Sequence, residues 1–187
     1  MNYKLIRSNR RSLSLEVKEG GLVVRAPLRA SAAEIDTFIA SHKRWIEKHI
    51  SKSEEQRRKA EEDPIGPEEL RALADLARRV IPERVRYYAA KAKVTYGRIT
   101  IRSQRSKWGS CSSKGNLNFN CLLMLTPPEV IDSVVVHELC HRKEMNHSDR
   151  FYAEVLRIYP DYRKWRKWLK DNGSQLMARM KAGRLDP

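Results

Sequence analysis

Long apolar runs are absent from this chain of 187 residues. The charged start, Met1-Asn-Tyr-Lys-Leu-Ile-Arg-Ser-Asn-Arg10, holds no apolar core of the length a signal peptide needs. No later stretch approaches the roughly 20 apolar residues that span a bilayer, so a cytoplasmic protein with no membrane partner is expected. Cysteine is scarce as well. Cys111, Cys121 and Cys140 make an odd count without tight metal spacing, which argues against a disulfide scaffold and for buried, reduced thiols. Acidic residues are missing from a whole segment: between Glu83 and Glu129 stand nine Lys or Arg and no Asp or Glu. With a formal net charge of +15, this basic region, 84–114, generates a positive field. It suits a nucleic acid, an acidic protein or a phosphate-bearing assembly, and equally a plain solubilising surface.

What is present reads as an α+β protein. Arg11–Val17 and Leu22–Ala26 alternate around Glu19-Gly-Gly21, the pattern of a β-hairpin. Ser31 to about Lys59 then reads as helix, opened by the capping box Ser31/Glu34 and carrying Ile35, Phe38, Ile39, Trp45 and Ile46 on its apolar face. The polar stretch 51–63, before Pro64-Ile-Gly-Pro67, is the expected linker. Helical spacing resumes at Leu70, Leu73, Ala77 and Val80, with Pro82 kinking this helix or opening the next. Thr95-Tyr96, Ile99–Ile101 and Leu117–Cys121 read as short strands, and Phe151–Ile158 and Trp165–Leu169 as further helix.

The segment Val134-Val-Val-His-Glu-Leu-Cys-His141 carries the chemistry. On a helix, His137 and His141 lie on one face, four residues apart, able to close on one zinc ion, with Glu138 beside the open position. A shuffle of this composition produces the pattern only about 0.01 times. Val134–Val136 favour strand by propensity, but a buried helix tolerates β-branched residues when packing dictates it. Cys140 points about 100° away from His141 and reads as packing. His42 and His49 read as residues on one face of a charged helix.

A catalytic zinc needs a third protein ligand and an open fourth place. His147, in Met145-Asn-His-Ser-Asp-Arg150, is the leading choice: Asn146 can end the first helix in a left-handed turn, and Ser148 or Asp149 can cap the next. Glu144, seven residues past His137, and Glu154, on the following helix, compete with it.

Taken together, Lys107-Trp-Gly-Ser-Cys111, Asn116-Leu-Asn-Phe-Asn120, Val136-His-Glu-Leu-Cys-His141 and Asn146-His-Ser148 followed by Phe151 resemble the YgjP-like metallopeptidase family, relatives of the SprT and WLM zinc proteases. The resemblance implies a zincin-like catalytic domain with a small sheet and an HExxH helix; with the linker, the expected division is an N-terminal β-hairpin and helix subdomain over 1–63 and the metallopeptidase domain over 64–187. The resemblance also implies Zn2+ as cofactor, His137, His141 and His147 as its ligands and Glu138 as the catalytic carboxylate.

The expected chemistry is peptide hydrolysis, with Glu138 taking a proton from zinc-bound water and passing it to the leaving amine. Tyr152, Tyr159 and Arg150 are the nearby choices for stabilising the oxyanion. The protein or peptide substrate is expected along the strand Asn116–Leu122, with Asn116, Asn118 and Asn120 as its polar, substrate-binding face. Gly109 is expected to permit a turn and Trp108 to anchor packing. The alternative is a basic, nucleic-acid-associated protein with a zinc site, or a protease coupled to nucleic acid; a structural site, however, would need four closed ligands and no carboxylate.

Overall fold

The computed structural model describes residues 2–18 and 21–182. The chain forms two compact units, Met1–Lys59 and Ala60–Pro187. In the first, β1 (Tyr3–Ser8), β2 (Ser14–Lys18) and β3 (Gly21–Pro27) make a three-stranded sheet in the order β1-β3-β2. The antiparallel β2–β3 pair, with Val17 opposite Leu22, is the hairpin read from the alternation. Glu19 and Gly20 of its turn lie outside the described residues. β1 pairs parallel with β3 and was not legible, because only Ile6 of its side chains escapes full exposure and no alternation marks it. The sheet buries Leu22, Val24 and Ala26 against Ile35 and Ile46 of the helices that follow.

Those helices are α1 (Ala32–Ser41) and α2 (Lys43–Glu62), two where the sequence suggests one. The capping box at Ser31 and Glu34 starts α1. At its end the Ser41 hydroxyl and His42 Nδ1 both take the Phe38 carbonyl, at 2.9 and 2.8 Å, so side chains compete with the backbone and the helix breaks. The polar stretch expected as a linker is helical as far as Glu62, with Glu55 and Lys59 paired one turn apart, and the division between the two units falls within it.

The second unit is built round α4 (Pro128–Cys140), backed by α3 (Pro67–Ala92). Pro82 sits inside a single α3, neither ending it nor opening another, because Ala77, Ile81 and Val85 are buried on both sides of it. A second sheet has the order β4-β6-β5, with β4 at Ile99–Arg102, β5 at Gly109–Cys111 and β6 at Leu117–Asn120. β4 runs parallel to β6, with Ile101 opposite Phe119, and β5 antiparallel, with Ser110 opposite Asn118. Thr95-Tyr96 is not a strand; the Thr95 carbonyl is held instead by Arg142 Nε at 3.0 Å. After β6 the Asn120 side chain caps a 3-10 turn, Cys121–Leu125. The helices α5 (Asp149–Ile158) and α6 (Tyr162–Ala182) complete the unit.

Nearly every residue of α4 from Val130 to Cys140 is buried. That explains a helix made from Val134-Val-Val136: burying each Val contributes about 1.5–3 kcal/mol, more than the few tenths lost in helix propensity. No helix among the described residues is long and apolar enough to cross a membrane.

Candidate metal centre

His137 and Glu138 lie in the last turn of α4, and His141 caps its end. The helix stops there and not at Asn146, which does not adopt the left-handed conformation expected of it; among the described non-glycine residues only Lys93 does. Tight turns follow, with the amides of Arg142, Lys143 and Glu144 bonded back to Leu139 and Cys140. The Ser148 side chain then accepts from Phe151 N and opens α5. This reversal returns His147 to the helix: its Nε2 is 3.0 Å from His137 Nε2. One ring nitrogen from each of His137, His141 and His147 falls within 4.8 Å of the others. The ring of Phe151, fully buried, sits under all three imidazoles at 4.9, 4.7 and 4.9 Å.

Two of the three outer nitrogens are spoken for. His141 Nδ1 meets the Glu144 carbonyl at 3.1 Å, and His137 Nδ1 meets the Tyr162 hydroxyl at 2.7 Å. A carbonyl can only accept, so His141 carries its proton on Nδ1 and presents a bare Nε2. Burial, followed by the neighbouring imidazoles, holds His137 far below the ordinary range, at about 3, and burial lowers His141 too. Both rings are therefore neutral near pH 7, the form that ligates a metal. Two Nε2 atoms 3.0 Å apart repel unless a proton or a cation lies between them. Three converging nitrogens of this kind fit a metal ion with a free fourth position.

Glu138 is 6% exposed, and burial pushes its carboxyl up to about 8, opposed by Lys107. Its side chain lies on the backbone of Gly109: a Cβ at that position would stand 2.6 Å from Oε1 and 2.7 Å from Cγ. Gly109 does not serve a turn; it is the first residue of β5 and leaves room for the carboxylate. Glu154 is not with the histidines, since Arg157 and Lys143 both bind it and hold its carboxyl down at about 2. Glu144 contributes its carbonyl to His141, and its carboxylate is not among the clustered donors.

The sheet departs from the reading of Asn116–Leu122. β6 is the central strand, paired on both sides, so it has no free edge; β5, which lies against α4, does. The three asparagines hold the protein together. Asn116 Oδ1 accepts from Arg98 N, Asn118 bridges Arg102 and Ser110, and the fully buried Asn120 donates to the carbonyls of Gln104 and Lys107. Tyr159 turns away to the Glu129 carbonyl, whereas the Tyr152 ring lies 6.2 Å from His147. Trp108 packs over Gly173 of α6, Cys140 is buried in the core, and His42 and His49 bond to carbonyls of their own helical stretches. The cations of the basic region are spread from α3 to the loop between β5 and β6, with Arg84 paired to Asp132. Tyr162, Phe151 and Arg166 were not singled out for the site from sequence. Tyr162 is 25 residues from His137 and belongs to a different helix, so no local spacing marks it.

A family model described as "YgjP-like, metallopeptidase domain" matches residues 11–78 and 67–172. Among solved structures, the chain is similar to the metallopeptidase zymogen abylysin of Pyrococcus abyssi, at 17% identity and a TM-score of 0.45, over 49% of this chain and 94% of that one. It is also similar to the metallopeptidase zymogen jannalysin of Methanocaldococcus jannaschii, at 22% identity and a TM-score of 0.44, over 49% and 95%. No curated protein matches the chain.

Proposed function

The chain belongs to the YgjP-like metallopeptidase family, and from that premise we propose that it hydrolyses peptide bonds with a zinc ion held by His137, His141 and His147 and with Glu138 as general base. The observation that supports this best is the convergence of three imidazoles beside a buried carboxyl. Zinc, when bound, supplies Lewis acidity toward water and the scissile carbonyl. The chain's own groups do the rest. Glu138, in its ionised form, takes a proton from the attacking water and delivers it to the leaving amine, and burial raises its affinity for the proton it accepts. Phe151 beneath the imidazoles keeps water from their inner side, and Tyr162 and the Glu144 carbonyl hold two of the rings in position.

The peptide lies along β5 rather than β6. Asn120 N bonds Trp108 O and Ser112 N bonds Asn116 O, so by alternation the N–H and C=O groups of Gly109 and Cys111 face the open edge. An extended peptide pairing there passes over Glu138, gaining main-chain hydrogen bonds without demanding a particular sequence. The test compares Glu138→Gln with His147→Ala for zinc content and casein hydrolysis. Glu138→Gln is expected to keep about one zinc per chain and lose hydrolysis, and His147→Ala to lose both. Hydrolysis by Glu138→Gln would remove the general base, and full zinc occupancy in His147→Ala would remove the third ligand.

A further inference from the structure

α6 buries Tyr162, Gly173, Met177 and Met180, with Leu169 partly covered, in a stripe at helical spacing. Arg166 stands on that stripe, one turn after Tyr162, where an apolar residue would ordinarily be found. It is nevertheless exposed, so the helix face opens to solvent at this point. The guanidinium carbon lies 5.4 Å over the ring of Tyr152. That ring is in turn stacked beside His147, at 6.2 Å and 27°, and stands 6.4 Å from the ring of Tyr162, whose hydroxyl meets His137. Arg166 is thus the outer leaf of a stack that leads to the histidine cluster.

Among the described residues Arg166 has no carboxylate partner, whereas Lys167 pairs with Asp171, Arg179 with Asp63, and Lys164 lies over Trp165. The run from Tyr162 to Lys170 contains no Asp or Glu. With one face on Tyr152, the guanidinium keeps its planar N–H fork free, the geometry that grips a carboxylate with two parallel hydrogen bonds. Its field reaches the cluster, since it acts with burial and the other imidazoles to depress His137. Lys107 exerts a second positive field on Glu138.

We propose that Arg166, seated on Tyr152, is a specificity-determining subsite that binds a carboxylate of the substrate near the scissile bond. The proposal rests on the peptidase reading above. The carboxylate has two sources, an Asp or Glu side chain or the free C-terminus of a peptide, and both offer the same planar anion. A charge-assisted, bidentate contact of this kind discriminates by about 10- to 100-fold.

The test uses the full chain loaded with zinc and fluorogenic peptides in three forms: Glu-containing, the same peptides with Gln, and the Gln peptides with amidated C-termini. Wild type is expected to prefer Glu over Gln, or free acid over amide, by about tenfold or more in kcat/KM, and Arg166→Gln to bring that ratio close to one. Arg166→Lys is expected to keep part of it, since the charge remains while the fork is lost. A ratio near one in wild type, or a ratio unchanged in Arg166→Gln, overturns the subsite. The same peptides are titrated by fluorescence anisotropy onto Glu138→Gln and onto Glu138→Gln/Arg166→Gln, which reads binding without turnover. If wild type cleaves no peptide, the peptidase reading falls; the binding ratio in the Glu138→Gln pair still decides whether Arg166 recognises a carboxylate.

Discussion

Replacing Gly109 with alanine tests how closely the carboxylate is held. The new Cβ would stand 2.6 Å from Glu138 Oε1, against the 3.4 Å at which ordinary contact begins, so 3.4 − 2.6 = 0.8 Å of movement is required. The atoms met at 2.7 and 2.9 Å, Cγ and Cδ, belong to the same side chain, which therefore has to shift as a whole. Glu138 leaves little slack: it is itself buried, as are Leu139 and Cys140 after it, and β5 is held by its ladder to β6. Overpacking of this size costs about 1–3 kcal/mol of stability, within what a domain tolerates. The effect on rate is larger, because displacing a reacting group by about 1 Å costs roughly 100-fold. Gly109→Ala is therefore expected to remain folded, keep its zinc and lose about two orders of magnitude in kcat/KM on a fluorogenic peptide. Zinc content is measured in parallel by metal analysis. The pH–rate profile supplies a second reading, because a carboxylate pushed toward solvent loses the burial that raises its pKa, and the acidic limb moves to lower pH. Activity within twofold of wild type, with the limb unmoved, would refute the packing of Glu138 on β5.

Two further outcomes follow from the groups behind the histidines. Tyr162→Phe removes the hydroxyl 2.7 Å from His137 Nδ1 and is expected to weaken zinc binding by about 10- to 100-fold; competition with a chromophoric chelator measures this, and an unchanged affinity argues against an orienting role. In metal-free protein, Glu138 has a folded pKa of about 8 against 4.5 for the exposed group, so the folded state holds its proton more tightly than the unfolded state. The stability this confers is full below about pH 4.5 and is lost as pH rises toward 8, by about 3 kcal/mol at pH 7. Metal-free Glu138→Gln should therefore melt higher than wild type at pH 8 and show a smaller gap at pH 5; equal gaps at both values would show that the carboxyl is not desolvated.

The local parts of the site were legible because they depend on spacing along one helix or on a single cap. Two histidines four residues apart share a face whatever surrounds them, and a Ser three residues before an amide at a helix start accepts its hydrogen bond, as Ser31 and Ser148 both do. The hairpin β2–β3 follows from alternation for the same reason. Asn146 misled because Gly-like turn residues are permissive and not obligatory; the turns after His141 close through backbone bonds to Leu139 and Cys140 without it. Of the two readings of Pro82 only the opening of a new helix fails, because burial on both sides of it outweighs one missing helical hydrogen bond.

What sequence alone determined was which residues could meet: three histidines and a glutamate whose spacing and flanking turn can bring them together. Tertiary structure decided everything that depends on a partner far along the chain. Strand β5 has three residues, too few for a period, and its place at the edge exists only because β6 pairs with β4 on its other side. The same pairing turned Asn116, Asn118 and Asn120 from an open face into internal hydrogen-bonding groups. Gly109 looks like any loop glycine until Glu138 is laid on it, and Tyr162 and Arg166 look like parts of a basic helix until α6 carries them to the cluster. A sequence pattern reports which face of its own element a residue occupies, whereas contact between faces is fixed by packing the whole core at once.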